Sequence, residues 1–383
     1  MAVIDSLYKN TTFALSLLKM PDLNNVKMKE IACFIETCLS FTKNIDKKTD
    51  TLNVSPEDVS SHIINSYDKL FQELREPLNQ LINESQIYNN WFIPAHIEYA
   101  LELLIEELRF CDETYFQRIR VLDSEKVYRN DEPAYCIYRP ISPLEGIVEL
   151  LIISLCHKSC FVMVAEEQKF IVTTFIKIIE TLPNLKNRIT ITEKPFVNPE
   201  KLYVLGKVNQ TVSDYMSKYK FYQNYSEGCA VLLDREPSSH QLSTLSNQIC
   251  MFFGRSRTSC KVLFVHEYFN LEDLKPYFEV FNDQLYHNKY FNNYEYRKSV
   301  MIINQIPYRE IGPLIVTESR DQAGYISVLC VQRYKNEDEI NHHPLTKRYK
   351  LLPLAISHHE PEYSKLGLSF LFHNKECFFN YKQ

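Results

Sequence analysis

The chain has 383 residues and a mass of 45.3 kDa, enough for two α/β domains with sizeable cores and too much for one small module. With 45% hydrophobic and 24% charged residues its composition excludes wholesale disorder and a collagenous fibre. Basic and acidic residues, 43 against 48 for a net charge of −5, nearly cancel, which removes the electrostatic footprint of a nucleic-acid binder.

Residues 1–115 read as a helical region. Lys27–Thr42, Pro56–Leu81 and Pro94–Cys111 carry apolar residues at helical spacing, Ser55-Pro56-Glu57-Asp58 supplies a helix start, and the mostly polar Asn44–Asn53 reads as a linker. In residues 116–233 the pattern changes to short β-rich runs alternating with amphipathic stretches. These are Ala134–Tyr138, Gly146–His157, Cys160–Ala165, Phe170–Thr181, Ile189–Ile191, Lys201–Leu205, the helical Thr211–Lys218 and the strand Cys229–Leu233. Such alternation predicts an α/β layer with parallel strands.

Residues 234–345 keep the same rhythm. Leu242, Leu245, Ile249 and Phe253 recur every three or four positions and predict a helix over Pro237–Phe253. The strand Lys261–His266 follows, then a helix over Asn270–Leu285 and strands at Ser299–Asn304, Leu314–Thr317 and Tyr325–Gln332. Residues 346–383 are expected to hold a return strand around Leu366–Phe372.

No run approaches the roughly 18 apolar residues of a membrane span; Ile147–Cys156 is much shorter and contains Glu149. The N-terminal segment lacks the basic and apolar regions of a secretory signal, so a cytoplasmic protein is expected. Eleven cysteines without paired spacing read as small buried apolar residues rather than disulfides or a zinc ribbon.

Several segments are candidates for chemistry. His342-His343 and His358-His359 put two imidazoles side by side, but neighbours on a strand point to opposite faces, so no metal site is expected. Cys156-His157-Lys158-Ser159-Cys160 reads as a turn. Gly206-Lys207-Val208-Asn209-Gln210-Thr211 follows a β run and precedes a helix, where backbone N–H groups can meet a phosphate. Gly206, Lys207, Asn209 and Thr211 are therefore the candidate cofactor-binding residues, set against an ordinary turn with Asn209 as helix cap.

In Arg255-Ser256-Arg257-Thr258-Ser259-Cys260-Lys261, Cys260 lies among cations, which lower a thiol pKa and favour the nucleophilic thiolate. It is the candidate catalytic residue, set against a core cysteine at a strand start. His287, Asn288, Lys289, Asn292, Asn293 and Tyr294 form a polar, aromatic stretch that reads either as a substrate-binding loop or as a hydrogen-bonded structural one.

Taken together, these segments resemble the LuxC-like acyl-CoA reductases, a bacterial branch of the aldehyde dehydrogenase superfamily, over roughly residues 80–335. Asn90-Trp91-Phe92-Ile93-Pro94 with Ala100-Leu101 resembles the family's N-terminal Asn-Pro-Trp-Phe-Thr-Pro helix start. Pro143-Leu144-Glu145-Gly146 falls where members carry Ala-Gly-Asn-Ile-Pro-Leu-Val-Gly, and Gly206 to Thr211 matches Thr-Gly-Ser-Asn-Asn-Thr. Phe252-Phe253-Gly254 resembles the Tyr-Phe-Gly before the catalytic cysteine. Asn288-Lys289-Tyr290 with Asn292-Asn293-Tyr294 is the most specific match, and Ile326-Ser327-Val328-Leu329 agrees with a further strand.

The resemblance implies an aldehyde-dehydrogenase-like α/β fold: a nucleotide-binding α/β domain, a catalytic α/β domain and the N-terminal helical region. It also implies a reaction in which a cysteine attacks an acyl-CoA or acyl-carrier thioester and NADPH delivers a hydride to give an aldehyde. Three departures bear on that chemistry. Members read Tyr-Phe-Gly-Leu-Gly-Cys-Arg-Asn where this chain reads Phe253-Gly254-Arg255-Ser256-Arg257-Thr258, one residue shorter and without the cysteine. Ile141 stands where the superfamily has its oxyanion-donor asparagine, and Val164 where members place a lysine for the cofactor ribose.

Losing one oxyanion donor typically costs ~100- to 1,000-fold in rate. The expectation is therefore a catalytically inactive relative that binds an acyl thioester, a nucleotide or a protein partner, such as an active reductase or a second copy of itself. The alternative is an active NADPH-dependent reductase working through a Cys260 thioester.

Overall fold

The computed structural model describes residues 76–110, 132–180, 186–219, 221–224, 226–353 and 380–382. The helix expected over Lys27–Thr42, the linker Asn44–Asn53, the start signal at Ser55, the strand around Leu366–Phe372 and the pair His358-His359 lie outside them. Residues 76–88 form helix α1, which buries Leu78, Leu81, Ile82 and Ser85 at helical spacing. Pro94 opens α2 (Pro94–Phe110), where its missing N–H would have no partner in any case.

The chain divides into two compact units, residues 1–223 with 381–383, and residues 224–380. In the first, β1 (Ala134–Arg139), α3 (Ile147–Cys156), β2 (Cys160–Val164), α4 (Glu166–Ile179), β3 (Ile189–Ile191), β4 (Leu202–Gly206), α5 (Gln210–Met216) and β5 (Phe221–Asn224) follow one another. With the strand Asn380–Lys382 they build a six-stranded sheet whose central order is β5-β4-β1-β2-β3. The pairs of β1 with β2 and with β4, and of β2 with β3, are parallel.

Strands covered on both faces read as continuous apolar runs, and all five residues of β4 are buried. From β1 the chain moves outward through β2 and β3, then returns to the other side of β1 as β4. The carboxyl ends of β1 and β4 therefore flank a topological switch point, the place where open α/β sheets bind ligands.

The second unit holds β6 (Cys229–Leu232), α6 (Ser239–Cys250), β7 (Cys260–His266), the one-turn helix α7 (Lys275–Phe278), α8 (Asn288–Ile303), β8 (Arg309–Ile311), β9 (Leu314–Thr317) and β10 (Val328–Tyr334). The short helices α9 (Asp338–Asn341) and α10 (Pro344–Arg348) and the strand β11 (Lys350–Pro353) complete it. Its sheet runs β11-β6-β7-β10-β9-β8, parallel except for the β8–β9 pair. Ser238 and Gln241 start α6 with a reciprocal capping box. Leu242, Leu245 and Ile249 then pack on one sheet face with Cys229, Val231, Cys260, Leu263 and Val265.

Four expectations change. Cys229–Leu233, placed by its position with the first domain, pairs instead with β7 and β11 in the second sheet; a local apolar run shows a strand but not its partner. Ser299–Asn304 is not a strand but the end of α8. Its Val300-Met301-Ile302-Ile303 run has strand composition, yet Met301 alone is buried, in helical step with Tyr290 and Tyr294, and Ile302 and Ile303 are 58% and 77% exposed.

Asn270–Leu285 is not one helix. Pro276, which cannot continue a helix through its own position, sits at the start of α7, and 3-10 turns flank that helix at Leu271–Leu274 and Glu279–Tyr286. His342-His343 belongs to no strand; His343 caps α10, its Nδ1 accepting from Leu345 N at 3.3 Å. No described helix is long and apolar enough to cross a membrane.

Candidate functional site

Cys260 opens β7, an interior strand between β6 and β10. It is 3% exposed and packs within the core face, its thiol donating to Val262 O at 3.3 Å. Burial, and after it the neighbouring Cys229 thiol, pushes its pKa well above the usual thiol range, outweighing the opposing pull of Lys261. This corrects the expected activation by flanking cations. The pull of the adjacent cation is smaller than the loss of water around the buried sulfur, so desolvation of the thiolate decides the sign.

Five further cysteines behave alike. Burial raises Cys136 and Cys250, takes Cys160 and Cys229 to about 12, and takes Cys330 to about 11.

Before β7 the backbone takes an uncommon path. The helix expected to reach Phe253 ends at Cys250, and Phe252, Phe253 and Gly254 follow at φ 54°, 57° and 64°. Left-handed geometry costs a residue with a Cβ roughly 1–2 kcal/mol, so packing must hold it. Both phenylalanines are buried, and the Phe253 ring lies 4.5 Å from the His287 ring and 5.4 Å from that of Tyr290.

His287 to Tyr294, expected as a loop, is instead the cap and first turns of α8. His287 Nδ1 accepts from Tyr290 N at 3.3 Å, and Tyr290 Oη donates to Pro313 O at 2.8 Å. Tyr294 donates to Glu310, which also binds Lys298 at 3.0 Å. Asn288, Lys289 and Asn292 are exposed, and Asn293 Nδ2 donates to Lys289 O at 2.7 Å. What passed for a loop was a helix whose polar face and histidine cap mask its short apolar stripe. Its buried side chains anchor the left-handed turn.

In the first unit, Gly206 ends β4 at φ +103°. Its register partner is Arg139 at the end of β1, and a Cβ on Gly206 would stand 2.2 Å from Arg139 O. Glycine is thus required by the exit of β1. Lys207 N donates to Arg139 O at 3.0 Å, while the Lys207 and Thr211 side chains are exposed. Asn209 caps α5, its Oδ1 accepting from Val212 N at 3.0 Å.

Two residues at this switch point were missed in the sequence. Gln168, 2% exposed on α4, donates to Pro140 O at 2.9 Å, and its Oε1 has no hydrogen-bond partner. Arg139 Nε, one residue from Pro140, is likewise buried and unpartnered. Buried polar groups are nearly always satisfied, so the unpartnered acceptor on Gln168 and donor on Arg139 mark the end of β1 and the start of α4 as a candidate ligand site. Val164 and Ile141, half-buried nearby in sequence, offer no side-chain hydrogen bond. Nothing in the spacing of Arg139 or Gln168 marks them; their significance depends on what fails to surround them.

No family model and no curated protein matches the sequence. Solved structures do match. The indole-3-acetaldehyde dehydrogenase AldA of P. syringae, as a variant in complex with NAD+, is 10% identical over 88% of this chain and 79% of its own, with a TM-score of 0.51. Aldehyde dehydrogenase 21 of Physcomitrella patens is 12% identical over 91% and 75%, with a TM-score of 0.48. An acetylating aldehyde dehydrogenase of Geobacillus thermoglucosidasius is 11% identical over 88% and 84%, with a TM-score of 0.47. The fold of this chain is the α/β fold of the aldehyde dehydrogenases.

Proposed function

We propose that this chain is a catalytically degenerate relative of the LuxC-like acyl-CoA reductases, a binding protein that engages a nucleotide, an acyl thioester or a partner reductase without turning the thioester over. The observation that carries this reading is the Cys260 thiol, buried in the core with its pKa driven up. Covalent acyl transfer needs a reachable thiolate, and every other cysteine among the described free ones is buried too. Ile141 and Val164, in place of the family's oxyanion donor and ribose lysine, support the same conclusion.

Nucleotide binding is supported separately by the unpartnered Arg139 Nε and Gln168 Oε1 at the switch point. NADPH, when bound, supplies a hydride. Arg139, Gln168 and the Gly206-Lys207 turn are the groups that would hold its polar atoms.

The test incubates the purified chain with a panel of acyl-CoAs beside an active reductase, followed by intact mass and peptide mapping, with NADPH binding read by fluorescence. The expected result is NADPH binding without an acyl adduct on Cys260. An adduct on Cys260, together with an NADPH-dependent aldehyde product lost in Cys260→Ser, overturns the reading in favour of an active enzyme.

A further inference from the structure

Lys261 follows Cys260 in β7 at a bulge, where Cys229 pairs with Cys260 and Ala230 with Val262, so Lys261 has no register partner in β6. It is 7% exposed. Two of the chain's seven glycines border it. A Cβ on Gly228 would stand 2.5 Å from Lys261 Cγ and 3.1 Å from its Cε, so the absent side chain lets the lysine stem pass. At the far end Nζ donates to Gly254 O, on the last residue of the left-handed turn.

An ammonium has three donors, and among the described residues Gly254 O is the one acceptor on this nitrogen. A Cβ on Gly254 would stand 2.9 Å from Ile249 O and 4.0 Å from Lys261 Nζ, so this turn too requires glycine where the amine docks.

Arg255 is half-buried in the same segment, and Arg257 is buried. The carboxylate that acts on Lys261 is Glu227, which Arg348 already holds at 3.0 Å. Burial chiefly, helped by Arg255, depresses the Lys261 amine to about 8. A buried ammonium with one protein acceptor is costly unless further acceptors complete its shell.

We propose that the Gly254–Lys261 segment is a binding site for a compact oxyanion, a phosphoryl or carboxylate group, with Lys261 Nζ as the principal donor and Arg255 at its rim. The anion's oxygens take the N–H positions that Gly254 O leaves open, and the resulting charge-assisted bonds offset the desolvation of the ammonium. The site uses none of the residues of the nucleotide reading, so either can fail alone.

The test uses the full chain with inorganic phosphate, sulfate and acetate as probes, in calorimetric titrations at fixed ionic strength with chloride as the control. Binding of one anion per chain is expected, weakened about 10- to 100-fold in Lys261→Met, the loss typical of a hydrogen bond to a charged group. Preference for phosphate or sulfate identifies a phosphoryl group, and preference for acetate a carboxylate. Absence of binding by all three probes, or equal affinity in Lys261→Met, overturns the proposal.

If Lys261→Met does not fold, the wild-type pH profile for sulfate decides. Around Lys261, the thiols of Cys229 and Cys260 stay protonated, the Cys229 thiol up to about 12. Arg255, Arg257 and Arg348 keep their charge, and Glu227 is ion-paired. Loss of the Lys261 proton above about 8 should therefore weaken sulfate about 10-fold or more by pH 9.5. A flat profile refutes the assignment.

Discussion

Replacing Gly206 with alanine tests the switch-point geometry through a single methyl group. The added Cβ would lie 2.2 Å from Arg139 O, 2.3 Å from Arg139 C and 2.6 Å from Pro140 N. All three are backbone atoms, so no rotamer change relieves the clash, and the ends of β1 and β4 must part. Three costs add. An L residue at φ +103° loses about 1–2 kcal/mol. Separating the strands weakens the Lys207 N to Arg139 O bond, worth about 1 kcal/mol, and overpacking adds about 1–3 kcal/mol. The sum is about 3–6 kcal/mol.

Gly146→Ala is the control. Gly146 has a similar φ of +83°, but its Cβ would meet Tyr138 Cε2 at 3.5 Å and Leu205 Cβ at 3.6 Å, ordinary contacts. It should cost only the conformational part, about 1–2 kcal/mol. Urea unfolding followed by circular dichroism measures both variants as shifts in midpoint at unchanged slope, and hydrogen exchange should localise the Gly206→Ala loss to β1 and β4. Equal destabilisation by the two variants, or less than about 1 kcal/mol for Gly206→Ala, would refute the reasoning.

Two further outcomes are expected. Native alkylation at pH 8 should leave Cys136, Cys160, Cys229, Cys250, Cys260 and Cys330 unlabelled until the chain is unfolded, since all are buried; labelling of native Cys260 at the rate of an unfolded peptide would contradict its placement. Lys261 also predicts a pH effect whose sign can be worked out. Its folded pKa, about 8, lies below the unfolded value of about 10.4, so the unfolded chain binds more protons between them and stability should rise with pH.

The buried thiols act oppositely, losing stability as pH rises above their unfolded pKa near ~8.5, so the comparison that isolates Lys261 is wild type against Lys261→Met, which share them. The difference should grow in favour of the wild type by an amount on the order of 3 kcal/mol between pH 8 and about 10.5. A constant difference across that range would show that Lys261 is not a desolvated ammonium.

Local periodicity, which needs no partner, determined much of what the sequence made legible. The alternation from Ala134 onward identified the α/β layer, four strands of the first sheet (β1 to β4) and the helix that became Ser239–Cys250, because apolar spacing reports which face of an element is buried; Phe221–Asn224 and Asn380–Lys382 went unread. Asn209 was legible as a cap for the same reason, since a cap acts within three residues. The apolar run near Ile302 misled because composition favours a strand while only the spacing of Tyr290, Tyr294 and Met301 reveals a helix.

Tertiary structure alone decided the rest. Which sheet β6 joins, that Gly206 is demanded by the backbone of β1, and that Arg139 and Gln168 carry unpartnered atoms all depend on residues distant in the chain. The sequence places Cys260 and Lys261 side by side as a thiol and its activating cation. The folded chain buries both, and desolvation acts on each in opposite directions: it raises the thiol and lowers the amine.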